Sequence, residues 1–200
     1  MKLITDWSPL TTGADVIKES REKNGGKIIL KGILQKADTL NQNGRIYPME
    51  ILSREIRNYQ KLIKENRSTG ELDHPAESVI SLKNVSHIIR SAYFDTDGKT
   101  VLGSLEVLST PSGKILENLI SDGVTIGISS RGVGSTAQEG EYQKVQDDFQ
   151  LIAFDMVSDP STPNAFMMKE GRELSENDLK KVFKRSDRIN RIVNDILTTK

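Results

Sequence analysis

The chain has no cysteine among its 200 residues. This absence excludes disulfide bonds, thiol nucleophiles and every zinc site that is built on cysteine. Histidine is nearly as scarce, because His74 and His87 are the only two. Any reaction that needs an imidazole base must use one of them. Two histidines that lie apart in the sequence do not suffice for a structural zinc site, so we expect neither a metal nor a cofactor.

Net charge and long apolar runs are also missing. The 28 basic and 28 acidic residues give a formal net charge of zero, which offers no support for a nucleic-acid partner. No segment approaches the roughly 20 apolar residues of a membrane span, and the amino terminus lacks the apolar run of a signal peptide. We therefore predict a cytoplasmic chain with no membrane or nucleic-acid partner, folded by default as one domain.

Apolar spacing predicts helices interleaved with strands. Helical periodicity or capping signals cover residues 14–23, 49–66, 110–121 and 175–197. Strand patterns cover residues 27–36, 79–94, 100–108, 124–133 and 149–158. Short turns join several of these strands, which favours antiparallel pairing. We predict an α+β fold in which a mostly antiparallel sheet, curled or closed into a β-barrel, is surrounded by helices.

The strand pattern at residues 124–133 contains two adjacent serines. Alternation puts Ile128 and Ser130 on one face and Ser129 and Arg131 on the other. Because the apolar face must be the core face, we predict that Ser129 points away from the core. Ser130 then points inward, where its hydroxyl would bond to backbone. Ser129 is the candidate nucleophile, but the same spacing also fits a plain strand that ends in a glycine-rich loop.

A serine nucleophile needs a base that accepts its proton. His74 precedes Pro75 in a polar loop, which is a common setting for functional residues. His87 lies inside a strand pattern, where a packed structural residue is the plainer interpretation. His74 is therefore the candidate base, and a surface loop histidine is its alternative reading.

An acid is needed to orient the imidazole and to stabilise its charged form. Asp155 stands alone among apolar residues of a predicted strand, and a buried carboxylate is costly unless it has a partner. We therefore assign Asp155 as the orienting acid. Asp159 is the alternative, although its place before Pro160 is typical of a turn.

Four motifs together resemble the prohead core proteases of T-even-type tailed phages, a family similar in fold to the herpesvirus assembly proteases. They are N-G-R-I-Y-P (43–48), G-E-L-D-H-P (70–75), G-I-S-S-R-G (127–132) and F-D-M-V-S-D-P-S-T-P-N-A (154–165). The resemblance implies that His74 is the base and Ser129 the nucleophile. Herpesvirus relatives use a second histidine as the third member, for which this chain offers only Asp155 or Asp159.

The resemblance implies a serine endopeptidase packed inside an immature phage head in the host cytoplasm. It would cleave scaffold or core proteins, the major capsid protein and itself, after glutamate in a Leu/Ile-x-Glu context, and a homo-oligomer is expected. Backbone N–H groups of Ser130, Arg131 and Gly132, or the Arg131 side chain, would hold the oxyanion or substrate. The competing class is a non-enzymatic scaffold or capsid-associated protein that only binds partners.

The sequence also predicts a division of the chain. Residues 1–172 would form the protease domain and residues 173–200 an amphipathic carboxy-terminal helix. Leu174-Ser175-Glu176 lies just before that helix and matches the implied cleavage context. We hypothesise that cleavage after Glu176 releases or trims a docking or inhibitory helix; a structural helix packed on the barrel is the alternative.

Overall fold

The computed structural model describes residues 14–73, 79–158, 161–162 and 167–169. Within these residues the chain forms three helices and ten strands. In chain order they are α1 (Ala14–Lys23), β1 (Ile28–Lys36), β2 (Arg45–Ile46), α2 (Met49–Lys64), β3 (Thr69–Glu71), β4 (Val85–Phe94), β5 (Thr100–Val107), α3 (Pro111–Ser121), β6 (Gly127–Val133), β7 (Thr136–Glu139), β8 (Tyr142–Val145), β9 (Gln150–Val157) and β10 (Met167–Lys169). No helix in this part of the chain has the length and apolar character needed to span a bilayer.

The strands form three sheets. The largest has the order β10-β1-β5-β4-β3, and each of its pairs is antiparallel. A second sheet has the order β2-β8-β7, and β6 pairs with β9 in an antiparallel ribbon. The predicted α+β class with mostly antiparallel strands is confirmed. The predicted closed barrel is wrong for the described residues, because their strands divide among three sheets rather than continuing around one.

The core lies between the large sheet, helices α2 and α3, and the β6–β9 ribbon. The apolar stripe of α2 contributes Leu52, Ile56 and Tyr59, all at most 4% exposed. The Tyr59 ring meets Phe154 of β9 edge to face, with centroids 5.4 Å apart. A fully buried side chain of this size stabilises the fold by about 1.5–3 kcal/mol. This packing holds β9 against the core and fixes the position of Asp155, which follows Phe154.

Helix α3 begins as its sequence predicts. Thr110 is the N-cap, and its side chain accepts a hydrogen bond of 3.0 Å from the Gly113 N–H. Its hydroxyl also donates to the Val85 carbonyl at the start of β4. A side chain at Gly113 would place its Cβ 1.9 Å from the Leu108 carbonyl oxygen, so only glycine fits there. The cap therefore joins α3 to the large sheet.

The helix predicted at residues 175–197 lies outside the described residues. The division at residues 172–173 therefore stays a prediction.

Thr110→Ala should lower the free energy of unfolding by about 1 kcal/mol, because it removes the N-cap and leaves the Val85 carbonyl without this donor. Urea denaturation measures the change. Ser112→Ala is the matched control, since its exposed hydroxyl lies 3.5 Å from the Lys83 carbonyl. The control should stay within about 0.5 kcal/mol of the native chain. Equal losses in the two variants would contradict the capping role.

Candidate active site

The β6–β9 ribbon places Ser129 directly opposite Asp155. Residues that face each other across an antiparallel pair point to the same side of it, and Arg131 follows two positions later on that side. Ile128 points to the other side and is fully buried in the core. The predicted alternation of faces therefore holds. One side of the ribbon collects a hydroxyl, a carboxylate and a guanidinium.

Ser129 is nevertheless only 2% exposed. Its Oγ lies 3.1 Å from Oγ of Ser161. Ser161 is held in turn by its carbonyl, which accepts a 2.9 Å hydrogen bond from the Gln42 N–H. The Ser129 side chain points to the side of the ribbon opposite Ile128, as expected. It is nevertheless not open to solvent, because Ser161 covers that side of the ribbon.

Ser130 is half-buried and donates a 3.0 Å hydrogen bond to Oε1 of Gln35. The prediction that its hydroxyl bonds to backbone is wrong, since the partner is a side-chain amide from β1. Thr162 donates to the same oxygen at 2.9 Å. Gln35 is 1% exposed, and the β1–β5 register shifts between it and Ile33. This amide therefore links β6 to the segment that covers Ser129.

A buried ion cluster lies next to Ser129. Arg131 Nε is 2.8 Å from Asp155 Oδ2, and Nη2 is 3.2 Å from Asp155 Oδ1. The same Nη2 donates to Oε2 of Glu71. Both carboxylates are completely buried and Arg131 is 8% exposed. Backbone donors add to the pairing, because the Glu71 N–H bonds Asp155 Oδ1 at 3.0 Å and the Ser81 N–H bonds Glu71 Oε1 at 2.9 Å.

The guanidinium of Arg131 thus contacts two carboxylates. Its predicted role as a side-chain donor to an oxyanion stays a prediction.

The chain that leads to His74 is fixed on β9. Leu72 forms a parallel bridge with Met156, and the Asp73 N–H donates to the Met156 carbonyl at 2.8 Å. Asp73 has a φ of 63°, a left-handed conformation that aspartate tolerates better than most residues. The segment is therefore anchored on Met156, one residue from Asp155. His74 itself lies outside the described residues, as does Asp159.

His87 is fully buried in β4, as the sequence predicts for a packed strand residue. Its Nε2 donates to the Phe154 carbonyl at 2.9 Å, and its Nδ1 accepts from the Ser86 hydroxyl at 2.9 Å. Burial lowers the pKa of His87 to about 4, so the ring is neutral at neutral pH. Gly70 lies against it, where a Cβ would sit 2.3 Å from Nε2. His87 is therefore a neutral structural residue of β4 that packs against β3 and is hydrogen-bonded to β9.

Gly132 follows a shift in the β6–β9 register. A Cβ there would lie 2.5 Å from the Phe149 ring and 2.5 Å from the Gln150 carbonyl oxygen. A cleft of about 430 Å³ opens beside this end of β6. Its lining comprises residues 132–136 together with Arg45, Tyr47, Val145 and Phe149. The glycine thus lets β6 pass close to β9 at the edge of an open groove.

Sequence reasoning missed Glu71 and Gln35. Glu71 lacks the signal that identified Asp155, because its neighbours are mostly polar residues and glycine and its short strand β3 was not predicted. Its partner is 60 residues away in sequence, which no local pattern reveals. Gln35 gives no comparable signal.

The chain is similar in sequence and in fold to known proteases of phage head assembly. Residues 4–178 match the family described as prohead core protein serine protease. The chain is 30% identical over 156 residues to the prohead core protein protease of Enterobacteria phage T4, which covers 75% of this chain and 71% of that protein. Its fold is similar to that of the bacteriophage T4 capsid assembly protease, gp21, with a TM-score of 0.60 and 26% identity over 66% of this chain and 82% of that chain.

His87→Gln should remove a pH dependence of stability. The unfolded histidine binds a proton below about pH 6.5 whereas the folded ring resists it down to about pH 4. Protonation of the unfolded chain should therefore destabilise the native protein, relative to His87→Gln, by about 3 kcal/mol between these pH values. Urea unfolding at several pH values measures the difference. A difference that stays constant from pH 7 to pH 4 would contradict the neutral buried ring.

Proposed function

The chain belongs to the family of prohead core protein serine proteases and is a protease of phage head assembly; we propose that it is a serine endopeptidase with Ser129 as nucleophile. His74 is the general base and Asp155 the orienting acid. The enzyme acts inside the assembling prohead and cleaves core proteins, the capsid protein and itself. The observation that carries this assignment is the placement of Ser129 opposite Asp155 on paired strands.

The position of the base is supported by its neighbour. Asp73 is bonded to Met156, which follows Asp155 in β9. Consecutive α-carbons are about 3.8 Å apart, so the α-carbon of His74 lies within that distance of the α-carbon of Asp73. The chain thus reaches His74 next to Met156, the strand neighbour of Asp155, and this supports His74 as the base.

The reaction is acyl transfer. Ser129 Oγ attacks the scissile carbonyl while His74 takes its proton, and the imidazolium then protonates the leaving amine. Water hydrolyses the acyl-enzyme by the same two transfers, with His74 as base and then acid. Backbone N–H groups of residues 130–132 stabilise the oxyanion, and Asp155 stays ionised throughout. No cofactor takes part in these steps.

Substrate entry requires a rearrangement over Ser129. A hydroxyl that is 2% exposed and 3.1 Å from Ser161 Oγ cannot meet a peptide carbonyl. Residues 161–162 must therefore shift when a substrate binds. This shift must break the hydrogen bond from the Gln42 N–H to the Ser161 carbonyl and the one from the Thr162 hydroxyl to the Gln35 side chain.

A fluorophosphonate probe should label the folded chain at Ser129. The labelling rate measures how reactive the hydroxyl is without any knowledge of the natural substrate. Ser129→Ala and His74→Ala should each lose on the order of 10⁴ in rate. Ser130→Ala and His87→Gln, which alter hydroxyl and imidazole groups outside the proposed triad, should each lose less than about tenfold.

Labelling no faster than that of the denatured chain, in free and in assembled material alike, would favour the non-enzymatic scaffold. Loss of labelling in folded His87→Gln but not in His74→Ala would refute the assignment of the base.

Self-cleavage after Glu176 is a further expected outcome. Intact-mass spectrometry of the incubated chain should find a product that starts at Asn177, because Leu174-Ser175-Glu176 matches the Leu/Ile-x-Glu context. The product should be absent from Ser129→Ala and much reduced in Glu176→Gln. An active enzyme that never forms this product would disprove the cleavage site while leaving the nucleophile in place.

A further inference from the structure

Within the part of the chain that the structure describes, the ion cluster beside Ser129 joins one cation to two anions. One guanidinium, Arg131, faces two carboxylates, Glu71 and Asp155, and all three groups are at least nine-tenths buried. Buried ions are costly unless they are paired, and removing one partner of such a pair costs several kcal/mol. The cluster also joins strands β3, β6 and β9, which come from three separate parts of the sequence.

Among the described residues, two other titratable groups approach the cluster from neighbouring helices and strands, and both are neutral. His87 approaches from β4, and burial lowers its pKa to about 4. Tyr59 approaches from α2, and burial together with the charge of Asp155 raises the pKa of its hydroxyl. Asp73, at the end of the same segment as Glu71, is exposed to solvent. Among the described residues, Arg131 is therefore the cation that compensates both buried carboxylates.

We propose that Arg131 is a positioning residue, which keeps the Asp155 carboxylate ionised and aligned beside Ser129 by neutralising Glu71. This inference rests on the proposed function of Ser129 and Asp155. The buried guanidinium can perform this role, since its Nη2 contacts Glu71 and its Nε contacts Asp155. Glu71 completes the arrangement by fixing Arg131 to the segment that leads to His74.

The distances explain why the cation matters. Glu71 Oε2 and Asp155 Oδ1 both contact the same Nη2 atom, so the two carboxylates lie within roughly 6 Å of each other. Two buried carboxylates at this separation cannot both stay ionised without a cation, and one proton is then shared between them. A protonated Asp155 cannot stabilise the imidazolium that forms during the reaction. Loss of Arg131 should therefore act on catalysis through protonation.

The test is the rate of fluorophosphonate labelling from pH 6 to pH 9 in R131M, R131K and the double variant R131M/E71Q. At pH 6, R131M should label about 100-fold more slowly than the native chain. At pH 9 the deficit should shrink to about tenfold, because the proton shared by the two carboxylates has then dissociated. R131K keeps the cation but not the planar fork, so its loss should be smaller and independent of pH. R131M/E71Q has a single carboxylate, so its ratio to the native chain should also be independent of pH and should exceed that of R131M at pH 6.

Stability supplies a second readout that does not depend on catalysis. The deficit of R131M in the free energy of unfolding should grow as the pH rises, because the unpaired carboxylates must then ionise inside the fold. Labelling and stability therefore change in opposite directions with pH. A role in packing alone would give a loss of labelling that is independent of pH and equal in R131K and R131M, and that result would overturn the proposal.

Two further outcomes are informative. If R131M does not fold, recovery of folding in R131M/E71Q supports the proposal, because only the repulsion between carboxylates is relieved, and failure of both overturns it. If Ser129→Ala labels as fast as the native chain, the proposed function fails. The pH dependence of stability then still decides whether Arg131 compensates both carboxylates.

Discussion

A single buried guanidinium connects the three strands on which the candidate site depends. Arg131 of β6 contacts Asp155 of β9 and Glu71 of β3. Each carboxylate would be expensive to bury alone, and both are paired with Arg131 only when all three strands meet in this register. A slip of one residue between β6 and β9 would turn Ser129 and Arg131 toward the core and Ile128 toward the ions. The ion cluster and the apolar core therefore specify the same register.

That register also separates the tasks of the two histidines. His87 is neutral and buried, and it donates a hydrogen bond to the Phe154 carbonyl of β9. The segment leading to His74 is anchored on Met156, beside the candidate acid. The His87 imidazole thus serves the packing, and His74 is the base that we propose for proton transfer. Residues 161–162 cover Ser129 in the described structure, because Ser161 is hydrogen-bonded to Ser129 and Thr162 is linked to Ser130 through Gln35.

Much of this arrangement follows from local sequence. The spacing of Leu52, Ile56 and Tyr59 predicts α2, and the Thr110-Pro111 pair predicts the start of α3. Alternation in β6 gives the correct faces for Ile128 and Ser129, and the order of the motifs identifies the family. These features are set by residues within a few positions of one another.

What the sequence did not reveal depends on contacts between distant segments. The pairing of Arg131 with Glu71 spans 60 residues, and the partner of Ser130 comes from β1. Alternation gives the direction of a side chain but not what covers it, so the burial of Ser129 was not foreseen. Strand patterns likewise do not say whether a sheet closes, which is why the barrel was expected. The place of His74 and the carboxy-terminal helix remain predictions.

The most direct test of Ser129, His74 and Asp155 as a catalytic triad is a crystal structure of the chain after reaction with a phosphonate. We expect phosphorus bonded to Ser129 Oγ and an imidazole nitrogen of His74 within hydrogen-bonding distance of the adduct. The Asp155 carboxylate should be bonded to the other ring nitrogen while still paired with Arg131. Phosphorus on another residue, or His74 turned away from both Ser129 and Asp155 in the adduct, would contradict it.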